Sequence, residues 1–422
     1  MASTGNSQAS VPPRSIGAWG IGFIAINAMI GSGIFGLPGK LDAALGAFAP
    51  LFLLGAGLAV MGIALCYADL ASRFDRSGGP QLFAAAAFGN FIGFEAGWMN
   101  WASRVAATAA NSTVLGAYAL AFWPSASATL VAAAAILLVT LINLARLERA
   151  VAALGVISLF KLLPLFFVAL LALGQFGLAG PVTLPSFDTA ESLALAALYA
   201  FVGFEAATVP SGETRDPRRA VPRALIASLA FVTAIYVVVQ LAYAASGLGA
   251  SDTPVADLAT ATIGPWGGLL IAATATVSVL GNLSSAFATM PRVTAAMAEQ
   301  GELPIVFNRR MADGAPAISI LLYAAVALLL AVTGSFVFLA IVATLSRLLV
   351  YALCMVAIPV LDRREGKAFR PLRGALLPAA ALTFCLWAAS QSGQGEWLTF
   401  AAFLSAGALL YGIARVTAKA SA

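Results

Sequence analysis

The chain has 422 residues, 61% of them hydrophobic and 10% charged, with a formal net charge of +5 and a mean hydropathy of +0.94. Soluble domains carry about 45–50% apolar and about 25% charged residues, so this apolar excess has no place inside a water-facing globule. The composition predicts an integral membrane protein. Its apolar segments are long and continuous, without the alternation over about ten residues that marks a membrane barrel, so the spanning elements are expected to be helices. The chain has no histidine, which removes HExxH zinc proteases and Ser-His hydrolases. Cys66, Cys354 and Cys385 all fall in apolar segments and imply neither a disulfide framework nor a metal cluster. No cofactor and no metal are expected, and the charge is not a nucleic-acid footprint.

A crossing helix needs about 20 residues, and with a short connection about 35, so the length accommodates roughly twelve. In chain order, residues 1–15 form a polar tail with no cleavable signal pattern. Spans follow at about 16–47, 49–73, 82–122, 127–145, 151–174, 188–210, 221–246, 266–298, 315–333, 336–359, 374–392 and 396–417, with a tail at 418–422. The third and eighth are long enough to be tilted. With the N-terminus inside, nineteen of the 23 lysines and arginines fall in inner segments. These are Arg14; Arg73 and Arg76; Arg146 and Arg149; Arg215, Arg218, Arg219 and Arg223; Arg292, Arg309 and Arg310; Arg363, Arg364, Lys367, Arg370 and Arg373; and Arg415 and Lys419. The outer loops hold none, and Lys40, Arg104, Lys161 and Arg347 lie within spans. That bias predicts both termini in the cytoplasm of a cell-membrane protein.

Two spans carry helix breakers. The first reads Ile26-Asn27-Ala28-Met29-Ile30-Gly31-Ser32-Gly33-Ile34-Phe35-Gly36-Leu37-Pro38-Gly39, with four glycines and a proline in nine residues, a poor composition for a continuous helix. The sixth reads Leu198-Tyr199-Ala200-Phe201-Val202-Gly203-Phe204-Glu205-Ala206-Ala207, which places a glycine and an acid at mid-membrane depth. Glycines also serve close helix packing. Interruptions at matching positions of two five-helix halves, however, point to a transporter's binding site, because unwinding frees backbone groups for a ligand or ion.

Gly31-Ser32-Gly33-Ile34-Phe35 with Pro38-Gly39 resembles the first-helix motif of the amino acid–polyamine–organocation (APC) superfamily. Tyr199 to Glu205, followed by Asp216-Pro217-Arg218-Arg219-Ala220-Val221-Pro222, is similar to the superfamily's sixth helix and following loop. Arg292 to Ala298 with Gly301-Glu302-Leu303-Pro304 is similar to its eighth-helix exit. The resemblance implies an all-α, LeuT-like fold. A first repeat would cover about 16–174 and a second about 188–359, inverted on the first, with trailing helices at about 374–417. Helices one and six would be unwound mid-membrane. It further implies that Gly31, Ser32 and Gly33 hold an amino acid's carboxylate through backbone N–H groups and the Ser32 hydroxyl. Carbonyls near Met29, Tyr199 and Val202 would take the α-ammonium beside Gly203. Tyr199 would stand at an aromatic gate, and Glu205 matches the sixth-helix glutamate of arginine–agmatine exchangers.

A charge at mid-membrane costs about 2.5–3.5 kcal/mol on insertion scales, so each needs a partner or a task. Lys161 resembles the fifth-helix lysine that replaces sodium in sodium-independent relatives. Its expected roles are proton coupling or capping the carbonyls of the broken first helix. Arg104 on the third span departs from the neutral residue of many relatives. It would pair with Glu205, pair with Glu95, or contact an acidic substrate side chain. Arg347 reads as structural. No ATP-binding motif is present, so the expected function is secondary transport of amino acids or related amines by alternating access. Proton symport and exchange, import and export stay open at this point, and a channel or a membrane enzyme is a remote alternative. The expected partners are the small-molecule substrate, protons and membrane lipid.

Overall fold

The structure, a computed structural model, describes residues 16–75, 78–145, 161–311 and 314–420, with side chains as far as Thr417. Arg14, Arg76, Arg146, Arg149, the Lys419 side chain, the expected N-terminal tail, residues 421–422 of the expected C-terminal tail and the first part of the expected fifth span, 151–160, lie outside this description. Among the described residues the regular elements are helices, with one isolated bridge between Ile16 and Thr214.

The first expected span is built in pieces: α1 (Ala18–Met29), α2 (Ser32–Gly36) and α3 (Pro38–Leu45). After α4 (Ala49–Ala71), the expected third span is two helices rather than one, α5 (Pro80–Phe88) and α6 (Asn90–Ala119). Gly89, at φ 90°, divides them, because a residue at positive φ cannot continue a right-handed helix. Then come α7 (Ala128–Leu144), α8 (Leu162–Phe176), the short α9 (Phe187–Ser192) and α10 (Ala194–Tyr199), and α11 (Pro217–Ser246). The chain continues with α12 (Pro254–Ile263), α13 (Pro265–Glu299), α14 (Ala317–Thr333) and α15 (Phe336–Arg364). A π-helical turn at Pro371–Leu376 leads into α16 (Leu377–Ser390) and α17 (Gln394–Ala420).

Local chemistry sets many of these boundaries. Prolines stand in the first turn of α4, α5, α11, α12 and α13, where the missing N–H costs nothing. Ser127, Ser186 and Ser335 cap α7, α9 and α15 by accepting from a backbone N–H three residues on.

Among the described residues eight segments are long and apolar enough to cross a membrane: Ala18–Gly36, Pro38–Ala71, Phe187–Thr208, Pro217–Ser246, Pro265–Glu299, Phe336–Arg364, Pro371–Ser390 and Gln394–Thr417. Three shorter apolar helices accompany them, α7, α8 and α14. Large apolar side chains such as Leu58, Leu141, Phe167, Leu329 and Leu409 point outward, a surface that suits lipid and not water. The chain is a multi-pass membrane protein.

α6 is the central post, buried along most of its length and packed by α13, α14, α15 and α7. α11 packs on α1 and α4 across the bundle. At one end an ionic cluster ties α4 to α15: Arg73 bonds Asp69, its guanidinium reaches Asp362 at 2.9 Å, and Arg370 meets Asp69 at 2.7 Å and Asp362 at 2.9 Å. The Asp69 carboxylate above all holds the Arg370 guanidinium more firmly protonated than usual.

Candidate functional site

Between α1 and α2 the chain leaves the helix at Ile30 and Gly31. After α10 it runs through irregular turns to a 3-10 segment at Phe204–Thr208, with Gly203 left-handed at φ 119°. The two irregular stretches lie against each other backbone to backbone. A Cβ on Gly33 would sit 2.9 Å from Ala200 Cα, and one on Gly203 would sit 2.6 Å from the Ala28 carbonyl oxygen. Glycine is required at both points, and at Gly203 the positive φ adds a second reason.

The backbone groups released at the first irregular stretch find partners from four other helices. Gly31 N–H donates to Met29 O at 2.9 Å, and Ser32 N–H to Asn111 Oδ1 at 2.8 Å. Gly33 N–H has no acceptor among the described residues. Asn111 in turn donates to Asn282 at 3.0 Å, and Asn282 reaches the Asn27 carbonyl at 3.4 Å. Tyr236 donates to Met29 O at 3.1 Å. Lys161 is buried, with its ammonium bonded to the Ile30 carbonyl and, at 3.2 Å, to Asn27 Oδ1. It therefore closes the C-terminal end of α1, where a cation meets the negative end of the helix dipole.

The second irregular stretch carries the principal ion pair of the core. Glu205 Oε1 lies 2.8 Å from an Arg347 nitrogen, with the two side chains 6% and 3% exposed. Its other oxygen accepts from the Tyr351 hydroxyl at 2.9 Å and from Gly203 N–H at 3.2 Å. Arg347 also bonds Asn100 and, at 3.1 Å, Ser103 Oγ. Both members thus have polar partners besides each other, which helps a buried pair to offset its desolvation. Tyr199 joins the two stretches: its hydroxyl meets Ser32 Oγ at 3.0 Å, and its ring packs edge-on against Phe336 with centroids 6.0 Å apart.

Two neighbouring cavities with shared lining residues lie at this junction. A small one of about 20 Å³ is lined by Met29, Gly31, Ser32, Gly33, Tyr199, Val202, Asn111 and Asn282, with Arg104 and Arg347. A larger one of about 320 Å³ shares Ala28, Arg104 and Arg347 and adds Asn27, Asn100, Gly203 and Glu205. It extends to Pro80, Pro210, Thr289 and Met290, the end of the bundle where Arg73 and Arg292 stand. The larger space is in the range that holds a small-molecule ligand, the smaller about that of one water.

Every residue expected from the sequence to touch substrate lines one of these cavities; Lys161 sits behind Asn27 instead. Of the three expectations for Arg104, pairing with Glu205 is taken by Arg347, and the Glu95 carboxylate, buried in α6, has no hydrogen-bond partner among the described residues. The guanidinium of Arg104 bonds nothing among the described residues, although its carbonyl accepts from Thr108 and Tyr323. Sequence reasoning missed Asn27, Asn100, Asn111 and Asn282. Their signal was available, because an amide inside an apolar helix demands a partner.

A family described as "Amino acid permease" matches residues 16–409. Uncharacterized transporters of Mycobacterium tuberculosis and Mycobacterium bovis are each 28% identical over 426 residues, covering 96% of this chain and 92% of theirs. A Bacillus subtilis protein named as an arginine/ornithine antiporter is 28% identical over 350 residues, covering 72% of this chain and 74% of its own.

Proposed function

The chain belongs to the amino acid permease family, and on that premise we propose that it is a secondary transporter carrying amino acids across the cell membrane by alternating access. The observation that carries this reading is the contact of the two irregular stretches beside a cavity that reaches one end of the bundle. A soluble pocket needs no such breaks; a carrier needs polar backbone where a ligand can meet it in the middle of lipid.

The proposed topology has twelve crossings with both termini cytoplasmic: the eight long apolar segments, the three shorter apolar helices, and α6. Its two inverted repeats are supported by one local correspondence. α5–Gly89–α6 and α12–Gly264–α13 each place a Pro-initiated short helix, a glycine and a long helix in succession. The glycines match at φ 90°, ψ 177° and φ 81°, ψ −175°.

In this reading the conformation is open to the cytoplasm. The larger cavity reaches the basic end of the bundle, while the Tyr199–Ser32 bond and the Tyr199–Phe336 packing close the other side. The substrate's α-carboxylate is placed at Gly31–Gly33, where the free Gly33 N–H and the Ser32 hydroxyl are the donors. Its α-ammonium is placed at the carbonyls of Met29, Tyr199 and Val202, near Gly203. Opening the Tyr199 contact and closing the vestibule around Asn27, Arg104 and Glu205 would deliver the substrate to the far side. Lys161, bonded to the end of α1, is positioned to couple its own proton occupancy to movement of that helix.

The test is uptake of labelled amino acids into proteoliposomes. One set is empty under an inward proton gradient and the other is preloaded with unlabelled amino acid at equal pH. Uncoupler-sensitive accumulation in the empty set means proton symport; uptake only into preloaded vesicles means exchange. No saturable uptake in either set overturns the proposal.

A further inference from the structure

The cavity at the two irregular stretches holds a charge that the protein does not balance. Its lining contains two guanidiniums, Arg104 and Arg347, and one carboxylate, Glu205. Every other lining side chain is neutral. Arg347 and Glu205 neutralise each other at 2.8 Å, and the remaining oxygen of Glu205 is occupied by Tyr351 and Gly203. Arg104 is left facing both cavities, and no described residue accepts a hydrogen bond from its guanidinium. Glu95, nine residues or about two and a half turns away on the same helix, has a carboxylate with no hydrogen-bond partner among the described residues, so it does not supply the missing anion.

Arg104, partly exposed in a cavity walled by apolar helices, is incompletely hydrated, and a ligand that supplies the counter-charge is favoured there over one that does not. A neutral amino acid is a zwitterion and brings no net charge, so it leaves the surplus in place. A dibasic amino acid adds a second unpaired cation and finds no free carboxylate. An amino acid with an acidic side chain brings one negative charge, and a guanidinium can receive its carboxylate with two parallel hydrogen bonds.

Resting on the transport function proposed above, we propose that the substrate is an acidic amino acid whose side-chain carboxylate is bound by Arg104. Arg104 then sets specificity, and Glu205 serves to hold Arg347 and not to receive a cationic substrate. The larger cavity, about 320 Å³ and bordered by Arg104 on one side and the irregular stretch at Gly203 on another, has room for such a ligand. Its α-carboxylate and its side-chain carboxylate would go to separate donors, the Gly33 turn and Arg104.

The test is counterflow in proteoliposomes with labelled L-glutamate, L-aspartate, L-glutamine, L-leucine, L-arginine and L-ornithine. It uses wild-type protein and the variants Arg104→Gln, Arg104→Lys and Arg104→Glu, each checked for a monodisperse profile in detergent. Wild type is expected to take up glutamate or aspartate at least tenfold better than the others. Arg104→Gln is expected to collapse the glutamate-to-glutamine ratio by tenfold or more, and Arg104→Lys to retain part of it. Arg104→Glu is expected to lose the acids and to admit arginine or ornithine, a gain that misfolding cannot produce. Uptake of arginine and ornithine with rejection of the acids by wild type overturns this inference and leaves the transport function standing. An equal loss of every amino acid in Arg104→Gln also overturns it, since Arg104 would then hold the α-carboxylate common to all. Absence of amino acid counterflow in wild type overturns both readings together.

Discussion

The Glu205–Arg347 pair is the most stringent place to perturb the account. Glu205→Gln keeps the shape of the side chain and can keep an oxygen toward Tyr351 and Gly203, but it turns a neutral amide toward Arg347. The contact is 2.8 Å and the two side chains are 6% and 3% exposed, so little solvent reaches them to take over the lost partner. Removing one member of such a pair costs about 3–5 kcal/mol, because the survivor stays buried and uncompensated. Arg347→Gln leaves Glu205 in the converse position, with Asn100 and Ser103 also losing a donor. The double variant carries no buried charge at this point. It is expected to be more stable than either single variant, with a coupling energy of about 2 kcal/mol or more. Unfolding in detergent, followed thermally and by denaturant, measures all four proteins of the cycle. Single losses that simply add, with coupling below about 0.5 kcal/mol, would refute the claim that Glu205 is committed to Arg347, and with it the argument that leaves Arg104 unbalanced.

Three other outcomes follow from the geometry. Gly203→Ala places a methyl group 2.6 Å from the Ala28 carbonyl at φ 119°, where strain alone costs about 1–3 kcal/mol; transport is expected to fall at least tenfold, and near-wild-type uptake would show that the close approach is dispensable. Lys161→Ala leaves the Ile30 carbonyl and Asn27 without their donor, at a cost of about 1–3 kcal/mol. The protein should still fold while its uptake loses pH dependence, and an unchanged pH profile would remove the proton-coupling role. In the loop after α13, burial pushes the Glu302 carboxyl above its ordinary value of 4.5. The folded state therefore holds that proton more tightly than the unfolded chain, and its contribution to stability is lost as pH rises from 4.5 toward the raised value. Melting temperatures of wild type and Glu302→Gln should accordingly diverge in that direction, the variant gaining, and a constant difference across the window would contradict the shift.

How much could be read from the chain follows from the range of each interaction. The helical class and the glycine-rich turn at Gly31-Ser32-Gly33 are local properties, written in composition and in the absence of side chains able to hold a helix. Gly89 was equally local but was overlooked: one apolar run at 82–122 concealed a residue that must sit at positive φ. The pairing of Glu205 with Arg347 joins residues 142 positions apart and depends on α15 packing beside the irregular stretch. The sequence alone therefore offers Arg104 as a partner for Glu205 and marks Arg347 as structural without naming its partner. The amide chain Asn111–Asn282–Asn27 is of the same kind. Each asparagine signals an obligation to hydrogen-bond, and only the tertiary structure reveals to whom.

The most direct test of the central claim is uptake of labelled amino acid by wild type beside Ala107→Trp. Ala107 lies on α6 and lines the small cavity next to Arg104. An indole there exceeds the roughly 20 Å³ of the small cavity, so it occupies the space where substrate is placed and presses on the irregular stretches that line it. The account predicts saturable uptake by wild type and its loss in a variant that remains folded and monodisperse. Undiminished uptake by Ala107→Trp would mean that the substrate passes elsewhere, and that the contact of the two irregular stretches is packing alone.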